Sequence, residues 1–248
     1  MTIAILATGD ELIHGDTLNT TSQKIATSLS QAGFSMGAHL CCGDKHDELV
    51  SGIQYLYAHF DALILTGGLG PTSDDRTRFA LADVLKIDLV EFESAKEHIE
   101  QRLRKHSLLD DYGQRQQALF PSQGTLFPNP NGTALGCGFV HHQKSFVMLP
   151  GPPAECMPMF EEYALPYLKS HSVTSEKVCL KWRLIHVPEG PIAFKLEDLL
   201  KDIPCVVGYR LDKPYLEVKV RCKREQQGKV REVVEPLLKP HIADEPHV

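Results

Sequence analysis

The sequence predicts an α/β protein in which a mostly parallel sheet carries helices on both faces and a small α+β domain follows. Over residues 2–90, short apolar runs alternate with segments whose apolar residues recur every three or four positions. Strands and helices that alternate through short links build parallel sheets, because each connecting helix packs back on the sheet. After a polar stretch at 170–176 the pattern changes to strand, helix, strand, strand and helix, which is typical of a separate small domain.

The first part of the chain supplies three strands and three helices. Asn19 to Ser22 offer cap residues before the first helix, and Gly33 offers its stop. Pro71 suits the first turn of a helix, since the N–H that proline lacks has no partner there. The predicted strands cover residues 2–7, 35–41 and 62–66, and the predicted helices cover residues 18–32 and 47–59 and the segment from Pro71 onward.

The rest of the main domain, which we assign to residues 1–170, is less regular. Helices are predicted over 93–105 and 114–119, and a hairpin over 138–141 and 145–149. Between them lies a long proline-rich stretch, and long loops in compact domains often bind ligands. A last helix is predicted over 154–168, with a break or kink at Pro158. The second domain, residues 175–248, is predicted to contain strands over 177–187, 205–210 and 215–222 and helices over 191–201 and 226–238.

Charge and composition exclude several classes of protein. The net charge of −6 divides into −8 for residues 1–174 and +2 for residues 175–248. An acidic main domain argues against a nucleic-acid groove, so no nucleic-acid partner is expected. No apolar run approaches the roughly 18 residues of a membrane span, and the first residues carry no basic leader, so a cytoplasmic protein with no membrane partner is expected. The seven cysteines include no CxxC pair, and we expect free, mostly buried thiols.

Acidic side chains follow all three predicted parallel strands. Asp10 and Glu11 come after the first strand, Asp44 after the second, and Asp74 and Asp75 after the third. Ligands of open parallel sheets bind outside the carboxyl ends of the strands, so we expect these side chains to share one crevice. For any single one of them, a helix cap or an ordinary loop acid is the alternative.

The stretch TGGLGPTSDD at 66–75 combines a glycine turn with two adjacent carboxylates. Gly67, Gly68 and Gly70 allow the backbone to approach a phosphate closely. Asp74 and Asp75 would repel that phosphate unless a divalent cation lies between them, and oxygen ligands favour Mg²⁺, Mn²⁺ or Co²⁺. The alternative is that both aspartates only stabilise the N-terminus of the following helix.

Two later loops add polar groups to the same picture. NPNGTALG at 129–136 supplies amide and hydroxyl donors suited to ribose or phosphate oxygens. LPGPPAE at 149–155 joins a strand end to a helix start through a rigid turn. The alternative for the second loop is a plain structural turn in which Glu155 only caps the helix.

Four stretches of the sequence form a recognisable set, namely TGDELIHGDTLNT, TGGLGPTSDDRT, NPNGTALG and LPGPPAE. Together, and in this order, they resemble the molybdopterin-binding (MoaB/MogA/gephyrin-like) family. More closely, they resemble the N-terminal region of the CinA competence/damage-inducible family. The resemblance implies a three-layer α/β/α domain. It also implies metal-dependent hydrolysis of ADP-ribose-like dinucleotides to AMP and a ribose phosphate, and a homo-oligomer, with a dimer expected. It includes no counterpart of the C-terminal amidohydrolase domain of CinA proteins, so no deamidase activity is expected.

Residues 177–248 resemble the small KH-like domain that follows in CinA proteins, with GYR at 208–210. The segment lacks the GxxG loop that clamps nucleotides in KH modules, which again argues against RNA. We expect this domain to pack on the main domain or to mediate self-association.

The motifs and the resemblance together assign roles to individual residues. The catalytic residues are Asp75, Asp44, Asp10 and Glu11, and the metal ligands are Asp44, Asp74 and Asp75. The substrate-binding residues are Thr8, Gly9, Asn19, Thr66, Gly67, Gly68, Gly70, Pro71, Thr72, Asn131, Gly132, Thr133, Pro150, Gly151 and Glu155.

Three positions depart from the family pattern. Phe79 stands in place of a glutamate, Leu135 in place of a proline and Cys156 in place of a methionine. If that glutamate is a metal ligand, Phe79 removes it. Two other hypotheses therefore stay open: a molybdopterin-binding or molybdenum-cofactor-handling protein that uses the same crevice, and a catalytically silent nucleotide-binding module.

Overall fold

The computed structural model describes residues 1–104, 115–171 and 177–243. The chain divides into two compact units, of which the first comprises residues 1–29 and 34–174 and the second comprises residues 30–33 and 175–248. Each unit has a sheet and a hydrophobic core of its own. Within the described ranges, no helix has the length and apolar character needed to cross a bilayer.

A six-stranded mixed sheet forms the centre of the first unit. The described strands of this unit are β1 (Thr2–Thr8), β2 (Ser35–Cys42), β3 (Ala62–Thr66), β4 (Leu89–Glu91), β5 (Leu119–Pro121), β6 (Thr125–Phe127), β7 (Gly136–His141) and β8 (Lys144–Leu149). Strands β4 and β5 form a separate two-stranded ribbon, and the other six form the sheet. The order across the sheet is β2-β1-β3-β8-β7-β6, and β4 pairs with β5. Strands β2, β1, β3 and β8 are parallel, whereas β7 and β6 each run antiparallel to their neighbours. The predicted parallel sheet and hairpin are both confirmed.

Continuous burial explains the long apolar runs in the central strands. Residues 3–6 of β1 and 62–65 of β3 have no exposed surface. Strands of a parallel sheet are covered on both faces, so their sequences need no polar alternation. The described helices of this unit are α1 (Asp10–Ile13), α2 (Thr20–Gln31), α3 (His46–His59), α4 (Thr77–Leu85), α5 (Glu93–Arg104), α6 (Pro153–Met159) and α7 (Leu165–Ser170).

The prediction of a helix from Pro71 onward is wrong, because α4 begins at Thr77. The Thr77 hydroxyl donates to the Gly67 carbonyl at 2.8 Å, and the Thr77 amide donates to the Gly68 carbonyl at 3.3 Å. The glycine turn thus folds back on Thr77, and regular helix begins only beyond this contact. Asp74 and Asp75 therefore precede the helix and do not lie in its first turn.

The predicted break in the helix over 154–168 is confirmed. A π-helical turn at Phe160–Ala164 separates α6 from α7, Pro158 lies inside α6, and a proline opens α7. Proline has no N–H to donate to the preceding turn, so the hydrogen-bond pattern shifts around it. Of the short helix predicted over 114–119, residues 115–117 are helical, 119–121 form β5, and 114 lies outside the described residues. Most of the predicted linker lies outside them as well.

The second unit is a three-stranded antiparallel sheet with two helices on one face. Its elements are β9 (Lys177–Ile185), α8 (Glu189–Leu200), β10 (Cys205–Asp212), β11 (Tyr215–Lys223) and α9 (Gln227–Leu238), and the strand order is β10-β11-β9. Leu216, Val218 and Val220 of β11 are buried in one cluster with Leu196 and Val234 of the helices. Because side chains alternate along a strand, the intervening residues lie on the opposite face, which we call the open face. All five predicted elements are present, and the KH-like character stays a prediction.

We expect Gly67→Ala to destabilise the first unit. Gly67 has a φ of 96°, and an added Cβ would lie 2.5 Å from the Thr8 carbonyl oxygen. A non-glycine residue held in such a conformation costs of order 1–3 kcal/mol even without a clash. The melting temperature, followed by far-UV circular dichroism, should fall by about 4 °C or more. Gly190→Ala is the matched control, because a Cβ there meets nothing within 4 Å. An unchanged melting temperature for Gly67→Ala would contradict this account.

Candidate functional site

The carboxyl ends of the parallel strands open into a crevice of about 680 Å³. Asp10 and Thr72 do not line this crevice but hydrogen-bond to Asp44 and Asp75, which do. Asn131 does not line it either, and it hydrogen-bonds to Asn129 and Ala154, which are also not part of the wall. The structure therefore brings together nearly all the residues predicted from the separate motifs. The predicted residues that line the crevice are Thr8, Gly9, Glu11, Asn19, Asp44, Thr66, Gly67, Gly68, Gly70, Pro71, Asp74, Asp75, Gly132, Thr133, Pro150, Gly151 and Glu155.

Asp44 is held in place by the end of β1. Its Oδ1 accepts a hydrogen bond from the Thr8 hydroxyl at 2.7 Å, and its Oδ2 accepts one from the Asp10 amide at 3.0 Å. Asp10 completes a reciprocal pair, since its Oδ1 accepts from the Asp44 amide at 3.1 Å. These bonds fix the Asp44 carboxylate, whose oxygens each retain lone pairs for a further contact. Asp10 is thus a support for Asp44 and lies outside the crevice wall.

The glycine turn offers backbone donors to an anion. Gly67 and Gly68 have φ values of 96° and 63°, a region that favours glycine. Among the residues that the structure describes, none accepts a hydrogen bond from the amides of Gly68, Leu69 or Gly70, and all three residues line the crevice. Successive backbone amides without an internal acceptor form a nest of the kind that binds phosphate oxygens.

Thr72 explains how two carboxylates are accommodated beside this turn. Asp75 Oδ2 accepts from the Thr72 amide at 2.9 Å and from the Thr72 hydroxyl at 2.5 Å, so the Asp75 carboxylate is drawn toward Thr72. A hydrogen bond with Thr72 also lowers the pKa of Asp74, which is exposed. Asp74 is therefore ionised at neutral pH, as a ligand of a cation must be.

Arg78 is a charged residue behind the turn that sequence reasoning missed. It is fully buried, and its Nη2 donates to the Leu69 carbonyl. Its guanidinium carbon lies 5.4 Å from the centroid of the Phe120 ring. Within the described part of the chain, its Nε and Nη1 have no hydrogen-bond partner. Burial lowers the pKa of Arg78 to about 10, against the opposing attraction of Asp75, so Arg78 remains a cation at neutral pH.

A sequence signal for the burial of Arg78 did exist. Arg78, Leu81 and Leu85 stand at i, i+3 and i+7, and both leucines are buried. Residues at this spacing share one helix face, so burial of the two leucines also buries the arginine.

Asn129 organises the opposite wall of the crevice. This buried amide donates to the Ala134 carbonyl at 2.9 Å and to Glu155 Oε2 at 2.6 Å, and it accepts from the Asn131 amide at 2.9 Å. The loop at 129–134 and the start of α6 are thereby joined. Glu155, predicted to contact substrate, lines the crevice but already serves as the acceptor that fixes this loop.

Side chains from distant segments brace both walls. Arg102 of α5 donates to the Asn129 carbonyl at 2.9 Å, and His98 Nε2 lies 3.2 Å from the Gly132 carbonyl oxygen. Gln116 donates to the Thr72 carbonyl at 2.6 Å, and Gln117 donates to the Thr133 hydroxyl at 3.1 Å. No motif in the sequence pointed to these four residues, because only the folded chain brings them to the crevice.

The donor set fits a cation that arrives with its ligand. Among the described residues, no three or more His, Cys, Asp or Glu side chains form a cluster that could hold a metal. Asp44, Asp74 and Asp75 nevertheless offer carboxylate oxygens at the crevice wall. Mg²⁺ is often bound by one or two carboxylates together with the phosphates of a substrate, and such a site needs no prebuilt cluster.

Residues 4–170 match the family described as "Probable molybdopterin binding domain". The chain belongs to this family. A protein named as competence-damage inducible from Alkaliphilus metalliredigens is 33% identical over 245 residues, and the match covers 97% of this chain but 57% of that protein. A protein of the same name from Clostridium botulinum strain Loch Maree is 33% identical over 243 residues, with 96% and 58% covered. The chain therefore spans less than two thirds of the length of these relatives.

A solved structure supports the same assignment. The crystal structure of the protein CinA, of unknown function, from Thermoplasma acidophilum has 28% sequence identity and a TM-score of 0.61, and the match covers 66% of this chain and 96% of that one. The resemblance to the molybdopterin-binding family and to CinA proteins is confirmed, and so is the predicted fold class.

The three departures from the pattern of the molybdopterin-binding family lie outside the crevice. The Arg76 guanidinium carbon lies 4.5 Å from the centroid of the Phe79 ring, and Phe79 does not line the site. Leu135 and Cys156 are buried in the core, and burial raises the pKa of the Cys156 thiol to about 12. None of these residues therefore takes the place of a side chain in the crevice wall.

We expect Arg78→Met to separate stability from anion binding. An apolar side chain of similar length removes a buried cation, two of whose nitrogens find no hydrogen-bond partner in the described part of the chain. The melting temperature should therefore stay unchanged or rise. The same change removes a positive charge behind the glycine turn, and binding of inorganic pyrophosphate, measured by calorimetry, should weaken by about tenfold.

Arg76→Met is the matched control for this test. It removes the neighbouring arginine, which stacks on Phe79 away from the crevice wall. Equal losses of pyrophosphate binding in the two variants would contradict the assignment, and so would a fall of several degrees in the melting temperature of Arg78→Met.

Proposed function

We propose that the crevice of the first unit binds a small phosphorylated ring compound of the molybdopterin class. The observation that carries this proposal is the set of three successive amides, at Gly68, Leu69 and Gly70, for which the described residues provide no acceptor. Unsatisfied backbone donors are costly unless water or a ligand pairs with them. Membership of a family described as molybdopterin binding supports the same class of ligand.

Size and lining of the crevice suit such a ligand. A volume of about 680 Å³ lies within the range of roughly 300–1,000 Å³ that is usual for small-molecule sites. Leu12, Leu18, Pro152 and Pro153 give part of the wall an apolar surface, against which a flat ring can pack. The ring would lie there, and the phosphate would lie on the glycine turn.

Ligand pairs that differ only by phosphate test this proposal. We expect a pterin phosphate to bind about a hundredfold or more tightly than the same pterin without phosphate, because charge-assisted hydrogen bonds to backbone amides are the strong ones. The dissociation constants would be measured by calorimetry, with ADP-ribose and adenosine as a second matched pair. Equal affinity within both pairs would show that the turn is not the anchor.

A second candidate is the metal-dependent hydrolysis of ADP-ribose-like dinucleotides to AMP and a ribose phosphate. The carboxylates that line the crevice favour it, since binding alone gives no reason for so much negative charge beside a phosphate site. There are five of them, those of Glu11, Asp44, Asp74, Asp75 and Glu155. A bound divalent ion would supply charge neutralisation of the pyrophosphate and a lower pKa for a nearby water. Asp44, Asp74 and Asp75 would hold that ion, and the amides of the turn would hold the phosphate.

We expect Asp75→Asn to remove hydrolysis and leave the fold intact. The asparagine carbonyl can still accept both hydrogen bonds from Thr72 but lacks the charge that holds a hard cation. AMP release from ADP-ribose should fall by about two orders of magnitude or more, and chelator should abolish it in the unmodified chain. The melting temperature without metal should not change.

The control for this variant is Asp198→Asn in the second unit, which makes the same change in charge at an exposed ion pair with Lys201. Hydrolysis that persists in Asp75→Asn or in excess chelator would leave the binding function as the better account. The homodimer and the cytoplasmic location remain part of the proposal, and analytical ultracentrifugation of the chain checks the first.

A further inference from the structure

The open face of the second unit concentrates positive charge. Its residues alternate along β9, β10 and β11 with those buried against the helices. Seven of its described residues are basic, namely Lys177, Lys181, Arg183, Arg210, Lys219, Arg221 and Lys223, and two are acidic, namely Asp212 and Glu217. The face therefore carries a net charge of +5.

This concentration is invisible in the average charge. Residues 175–248 contain 14 lysines and arginines and 12 acidic residues, a net charge of only +2. Half of those basic residues lie on the open face, together with only two of the acidic ones. The small net charge of the second domain therefore gives no argument against nucleic acid at this face.

The strand register places like charges directly opposite one another. Lys219 pairs with Lys181 across β11 and β9, and Lys223 pairs with Lys177. Directly opposed residues in an antiparallel sheet have Cβ atoms roughly 5 Å apart, and like charges there are destabilising. A face that served only solubility would mix the two signs, so the repulsion indicates a surface kept basic for a polyanion.

Ion pairs offset only part of this charge, including a pair at 3.7 Å between Lys223 and Glu225, which lies just beyond β11. Glu217 forms an ion pair with Lys219, and the hydrogen bond from Lys219, with weaker attraction from Lys181 and Arg210, lowers the pKa of Glu217. One carboxylate is thus shared by three cations. Asp212 approaches Arg183 only at 3.8 Å.

We propose that the open face binds a single-stranded nucleic acid through its phosphate backbone. Lys219, Arg221 and Lys223 follow one another at every second residue of β11, a repeat of about 6.8 Å that an extended strand of phosphates can follow. The Arg183 guanidinium carbon lies 4.4 Å from the centroid of the Tyr215 ring. This stacked pair gives a flat surface for a base, as sheet faces in single-strand-binding proteins do.

Single-stranded nucleic acid fits this face better than two other anionic surfaces. A membrane surface usually requires apolar side chains that insert beside the cations, and the open face has one exposed large apolar side chain among its described residues, that of Val206. An acidic patch on a second copy of the chain would offer carboxylates but no bases for the Arg183–Tyr215 pair. Both partners are outcomes that the experiment separates.

The test measures the anisotropy of short fluorescent single-stranded RNA and DNA of the same mixed sequence with the full chain at several salt concentrations. In Lys181→Gln combined with Arg221→Gln, affinity at low salt should fall by about tenfold, and the slope of log affinity against log salt should decrease by about 1.4. Lys195→Gln combined with Lys229→Gln is the matched control, since it removes the same charge from exposed positions on α8 and α9. The control should keep both the affinity and the slope, and circular dichroism should show that both double variants are folded.

Three results would overturn the proposal. The first is the absence of oligonucleotide binding by the unmodified chain at low salt. The second is an equal loss of oligonucleotide affinity in the two double variants, which would show that only the net charge of the chain matters. The third is a loss of binding to vesicles containing anionic lipid, or of self-association in sedimentation, when Lys181 and Arg221 are changed, while oligonucleotide binding stays the same.

Discussion

The candidate site depends on the close approach of Gly67 to the ends of two neighbouring strands. Its amide donates to the Leu149 carbonyl of β8 at 3.0 Å, and its position leaves no room for a Cβ beside the Thr8 carbonyl of β1. Because the turn is held from both sides, the next three residues leave the sheet with their amides unused by the described residues. The contacts that hold Gly67 at the ends of β1 and β8 thus leave the next three amides available to act as donors in the crevice.

Charge balance at this edge is arranged in two layers. Carboxylates of Asp44, Asp74 and Asp75 face the crevice, and the buried Arg78 cation lies behind the turn that they surround. Burial of the Arg78 guanidinium is costly, and the attraction of Asp75 offsets only part of that cost. A doubly charged anionic group that binds with a divalent cation would add two charges of each sign and leave this balance unchanged.

Sequence reasoning recovered the parts of the fold that depend on local patterns. Apolar runs gave β1 and β3 to within a residue, and the motifs gave most of the crevice wall. It failed where a tertiary contact overrides a local preference. Pro71 suits a helix start, yet the helix begins six residues later, at Thr77, whose hydroxyl bonds to the Gly67 carbonyl. The braces from α5 and from Gln116 and Gln117 join segments distant in sequence, which no short window can reveal.

Average charge misleads in both units for the same physical reason. A Coulomb interaction in water is weakened beyond a Debye length of about 8 Å at physiological salt, so a ligand responds to the few charges it touches and not to the sum over a domain. The first unit is acidic in sum, yet its turn presents amides that have no acceptor among the described residues, and Arg78 lies behind them. The second unit is nearly neutral in sum, yet the register of β9, β10 and β11 places seven cations on one face. Strand register therefore carries information on charge distribution that composition does not contain. Once the pairing of the strands is known, the alternation of side chains along each strand is enough to find such a charged face in the sequence.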